Sequence, residues 1–122
     1  MSTLRTKTID LVPQGIPLFV TLRRATMGDD MRRAMLAANA MQNPLADAAE
    51  QTVAVVIYPR CMACTVSGTV DGKDAEKMTA ADFIALPYEI GEAWLTAALE
   101  LNPGWRLSPF TEEEEDAAQK NV

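Results

Sequence analysis

TVAVVIYPRCMACTV, residues 52–66, decides how the rest of the chain is read. Its first seven residues are β-branched or apolar on every side, so periodicity does not separate a buried helix from a strand. The lead-in LADAAEQ, residues 45–51, is rich in alanine and helix-prone, and no breaker divides it from Thr52. That favours a buried helix, kinked or split where Pro59 removes a backbone donor. The alternative is a pair of strands turning at Pro59 and Arg60. On either reading Ser67 and Gly68 end the segment, and VDGK, residues 70–73, is a turn in an exposed loop. The nearly apolar run from 53 to 66 is 14 residues long and is broken by Pro59 and Arg60, which is too short to span a bilayer.

Downstream, TAADFIALPYEIGEAWLTAALELNPGW, residues 79–105, reads as two helices with explicit start and stop signals. Thr79 and Asp82 form a capping box with Asp in the place of the usual Glu or Gln. Phe83, Ile84 and Leu86 make the apolar side of a short first helix, and Pro87 starts the second. On that second helix Ile90, Trp94, Ala97, Ala98 and Leu101 share one face, with Glu89, Glu92, Thr96 and Glu100 opposite. Asn102, Pro103 and Gly104 stop it, and Trp105 is expected to fold back over the helix end.

Upstream, residues 7–13 and 16–23 read as a hairpin. Leu18, Val20 and Leu22 alternate with Phe19, Thr21 and Arg23, and Pro13-Gln14-Gly15 makes the turn. Thr26 or Asp29 then caps a helix running to about Gln42. Met27, Met31, Ala34, Met35 and Ala38 fall at helical spacing, with Asp30, Arg33 and Asn39 expected on the more exposed side. Such a stripe is either core or a pliant groove for a partner helix. Asn43 as cap and Pro44 as first helical residue are expected to open the next helix. The fold expected is mainly α with a small N-terminal β-hairpin, a compact helical domain of about four to five helices. One globular domain is expected over residues 1–110, with hairpin 7–23 and helical part 26–105. An acidic tail, 111–122, follows; its charge run favours a solvated segment over a terminal helix.

Charge and composition narrow the function. Of 122 residues, 48% are hydrophobic and 23% charged, with a net charge of −6. Residues 1–43 carry a net of +3 and residues 44–122 a net of −9, an asymmetry suited to steered association with another copy or a basic partner. Dense phosphate rewards a basic domain, so nucleic acid is not an expected partner. The N-terminus lacks an apolar signal core, and neither a membrane anchor nor export is expected, leaving a cytoplasmic protein.

Enzymatic chemistry is not expected. The chain has no histidine, no Gly-x-x-x-x-Gly-Lys phosphate loop, and only Ser2, Ser67 and Ser108 as serines, none in a nucleophile-elbow context. Glu89 and Glu92 are a carboxylate pair, but on the polar helix face, where such pairs are solvated. Cys61 and Cys64 form a Cys-x-x-Cys. A zinc site normally needs further thiolate or imidazole ligands, and a thioredoxin-type motif needs a βαβ setting. Buried, reduced, structural thiols are the expectation, with no cofactor and no metal.

The order of these features resembles the tail assembly chaperones of long-tailed phages, the G-type proteins. The resemblance rests on a small acidic chain and an N-terminal apolar strand ending in Thr21-Leu22-Arg23-Arg24. It continues with Asp82-Phe83-Ile84-Ala85-Leu86-Pro87 and an amphipathic helix closing in Glu100-Leu101-Asn102-Pro103-Gly104-Trp105, and it covers residues 15–105. It implies a non-enzymatic protein that coats the tape measure protein and recruits tail tube subunits during assembly. Met27, Met31, Met35 and Trp94 are then the candidate partner contacts. The alternatives are a small cytoplasmic adaptor or regulatory binding module, and a structural virion component such as a tail or connector protein.

Overall fold

The computed structural model describes residues 5–106. The acidic tail and any helix within it lie outside these residues. Strand β1 (Thr6–Asp10) turns through a 3₁₀ segment at Val12–Gln14 into β2 (Leu18–Arg23), and α1 (Met27–Gln42) follows. A second helical stretch has three pieces: α2 (Ala48–Thr52), a π-helical segment (Val53–Ile57) and α3 (Tyr58–Ala63). Then come β3 (Thr65–Val70), β4 (Lys73–Asp74), α4 (Ala80–Ile84) and α5 (Tyr88–Leu101).

The fold is therefore mixed. The four strands form one antiparallel sheet in the order β1-β2-β3-β4, larger than the hairpin expected from the sequence. Residues 52–63 are helical, as the alanine-rich lead-in favoured, but Thr65–Val70 pairs with β2 and is a strand. Gly68 does not end the segment. It lies opposite Val20 at a φ of +134°, where an added Cβ would come within 2.2 Å of the Phe19 carbonyl oxygen. Only glycine lets β2 and β3 approach that closely. Asp71 and Gly72 have φ of +52° and +81°, the left-handed pair of a two-residue hairpin turn, so residues 70–73 join two strands.

Pro59 accounts for the π-helical segment. A proline inside a helix lacks a donor and its ring clashes with the carbonyl four residues back. The chain widens by one residue ahead of it, with the Tyr58 N–H bonded to the Val53 carbonyl, and the helix continues without a break. The segment's apolar residues suit this position, because it packs against α1, α2 and α4.

Leu18, Val20, Leu22 and Val70 point to one side of the sheet and are wholly buried, as the alternation predicts. Helix α5 packs on that side with Ile90, Trp94, Ala97, Ala98 and Leu101, the five residues of its predicted face. Trp94 lies at the centre. Its indole N–H donates to Thr65 Oγ1 at 2.9 Å, and that hydroxyl donates to the Cys61 carbonyl at 2.6 Å. Phe83 bridges Trp94 and Tyr58, with ring centroids 5.5 and 5.8 Å away. Helix α1 packs outside this layer, against the π segment and α3.

Candidate functional site

The candidate site is built on α1, and a charged corner sets which way that helix faces. Thr26 caps it in a full capping box with Asp29: Asp29 N–H donates to Thr26 Oγ1 at 3.1 Å, and Thr26 N–H donates to Asp29 Oδ2 at 3.0 Å. Arg23, at the end of β2, clamps the same carboxylate with Nε and Nη2 at 2.9 and 2.8 Å. Asp29 is 1% exposed. Burial pushes its carboxyl up, but the hydrogen bonds from Arg23 and Thr26 and the guanidinium charge outweigh it, and the carboxyl titrates below the usual range. The next residue, Asp30, accepts from the Trp105 indole at 2.9 Å, and Arg33, a turn on, lies 5.7 Å over the Trp105 ring. Trp105 thus docks on α1. Asn102 completes the corner by accepting from Ala25 N–H at 2.8 Å.

These ties draw Asp30 and Arg33 toward the body, while Asn39 stays exposed as expected. The inward side of α1 carries Asp29, Arg33, Leu36, Ala37 and Ala40. The methionines face out: Met27 is 87% exposed, Met31 and Met35 60%, and Met41 65%. The core reading of the stripe is overturned, because paired charges instead of methionines seat the helix. Trp94 is corrected in the other direction. At 0% exposed and hydrogen-bonded inside the core, it is not a surface contact and does not lie with the methionines. Asn43 caps the C-terminal end of α1, and Asp47 opens α2 by accepting from Glu50 N–H at 3.0 Å. The proline at 44 lies in the link between them.

Beside the methionine row is a groove of about 970 Å³, walled by α1, the α2–α3 stretch and residues 76–85. Its apolar lining includes Leu36, Ala40, Ala54, Met62, Met78 and Ile84. The polar groups on its floor are spent internally: the Tyr58 hydroxyl donates to the Met78 carbonyl at 2.7 Å, and Thr65 is engaged with Trp94 and Cys61. Arg32, Asn39, Glu50, Glu76 and Lys77 line it but are solvent-exposed, so they form a rim. Met35 is three and four residues from Arg32 and Asn39, hence their neighbour on the helix surface. Floor and methionines together make an apolar surface edged by mixed charge. Sequence reasoning missed the groove. The signal was residues 53–66, which hold more apolar side chains than one core-facing stripe uses.

Cys61 and Cys64 are free and buried. Burial pushes both thiols up, Cys61 well above its ordinary value and Cys64 to about 12, so neither supplies a thiolate near neutrality. Among the described residues no group of three or more His, Cys, Asp or Glu side chains is placed to hold a metal, and no helix is long and apolar enough to cross a membrane. In comparison with known proteins, no family model matches the chain, and no curated protein or solved structure is a match.

Proposed function

We propose that the protein is a non-enzymatic, cytoplasmic tail assembly chaperone of a long-tailed phage, which holds the tape measure protein and helps recruit tail tube subunits. The reading starts from the resemblance over residues 15–105. The observation that supports it best is the half-open groove with an apolar floor and charged rim, flanked by flexible methionines. An amphipathic helix lays an apolar stripe into such a groove, and a long helical client offers that stripe repeatedly. Methionine adapts to varied apolar partners, which suits a client held along its length and then released. Among the described residues the polar groups of the floor, Tyr58 and Thr65, are bonded internally, which favours contact by shape and hydrophobicity.

The test is co-expression with the tape measure protein from the same phage, scored by soluble yield and co-purification. The chaperone makes the client soluble and elutes with it, and Ala81→Glu, which puts a charge at an exposed position of the groove wall, abolishes both while the fold is kept. If the client stays insoluble with the unaltered chain and nothing co-purifies, the chaperone reading fails and a cellular adaptor takes its place.

A further inference from the structure

The outward side of α1 has a second regularity. Met27, Met31, Ala34, Ala38 and Met41 are all exposed and are spaced by four, three, four and three residues. That is the spacing of a seam between two packed helices, since it keeps one narrow stripe facing a neighbour over successive turns. No charged residue belongs to the stripe. Asp29 and Arg33 lie on the buried side, Arg32 on the groove side, and Asp30 at the flank is held by Arg33 and the Trp105 indole. Met27, Met31 and Met41 stand in water along it, and among the described residues nothing covers this face.

We propose that this seam docks a second copy of the chain, with the two α1 helices antiparallel about a two-fold axis at Ala34. Three features select this occupant. Side-chain volumes are self-complementary in that orientation: Ala34 meets Ala34, Met31 falls within one residue of level with Ala38 on both sides of the axis, and Met27 meets Met41 at the ends. A parallel pair would set Met31 on Met31 and alanine on alanine, bulging in one layer and leaving a gap in the next. Charge is complementary only when the helices run in opposite directions. Arg24 is exposed just before α1, and Asp47 and Glu50 are exposed just beyond it, so each copy's arginine lies toward the other's carboxylates. Antiparallel helices also place opposite ends of their dipoles together. Two helices of this length meet over roughly 24 Å, which buries less than the ~1,200 Å² of a standard stable interface, so the dimer is transient and concentration-dependent. The groove lies on the other side of Arg32 and Asn39, so the dimer covers Met27, Met31 and Met41 and leaves the groove and Met35 open to a client.

Sedimentation equilibrium of the full chain over about 10 µM to about 1 mM gives the mass directly, and an average climbing from 13.3 kDa toward twice that is expected. Met31→Glu weakens association at least tenfold with an unchanged circular dichroism spectrum. Ala34→Cys, at the axis, gives a covalent dimer under mild oxidant, and Ala49→Cys, exposed on α2, does not; buried Cys61 and Cys64 do not compete. A chain that stays monomeric to about 1 mM, or equal cross-linking at both positions, overturns the proposal. So does a monomer in which Met31→Glu instead loses binding of the tape measure protein, which would give the seam to that partner.

Discussion

Asp29→Ala removes the carboxylate that joins β2 to the start of α1, and its cost follows from the contacts. The variant loses the half of the capping box that accepts from Thr26 N–H, worth about 0.5–1 kcal/mol, and the two charge-assisted bonds from Arg23, worth about 1.5–3 kcal/mol net. The Arg23 side chain is 35% exposed and turns to water, so no charge is stranded. The expected loss is about 3 kcal/mol, a fall in melting temperature of roughly 15 °C for a domain of this size. Arg23→Met should be at least as costly, because it leaves a buried carboxylate with one backbone donor. The pH dependence separates this account from simple loss of packing. A carboxyl whose folded pKa lies below its unfolded value, about 3.9, contributes stability that is present above that value and lost as pH falls through the folded one. Urea denaturation at pH 7 and again near pH 2.5 should therefore show the gap between wild type and Asp29→Ala closing in acid. A gap under about 0.5 kcal/mol at pH 7, or one that stays constant into acid, would refute the reasoning.

Gly68→Ala should abolish folding or cost more than about 3 kcal/mol, since a Cβ would meet the β2 backbone at 2.2 Å on a strained φ; soluble yield and urea midpoint report it, and a near-neutral variant would mean β2 and β3 separate readily. Cys61 and Cys64 should resist a disulfide-forming thiol reagent at pH 8 in the native state and react fully in denaturant, and fast native labelling would show that the α3 end opens.

What the sequence made legible was whatever depended on local pattern alone. Helix α5 is seated by apolar residues with no polar rival, so its face could be read from spacing, and the capping box at Thr79 and Asp82 formed as its residues dictate. The face of helix α1 was left open between core and surface for the opposite reason. Its inward side is held by Arg23, Asn102 and Trp105, the last two more than seventy residues away, and periodicity carries no record of such partners. Strand β3 was hidden because Ser67, Gly68 and Thr69 lack the apolar alternation that marks a half-buried strand, although Asp71-Gly72 was a hairpin turn in plain view. The groove needed three elements brought together, and the methionines could be assigned to core or to surface only once α1 had been oriented.

The corner where Trp105 and Asn102 meet α1 has a consequence for how the chain is made. Helix α1 emerges from the ribosome early, and local capping is enough to start it. The bonds that fix it to the body from the far end span 75 and 77 residues, so they wait until almost the whole domain has been synthesised. Through that interval α1 is tethered by Arg23 and by whatever of the π segment has appeared, with both of its apolar sides available. The protein thus passes through its own nascent state with its stickiest helix latched late, and the residues that close the latch are among the last of the described ones.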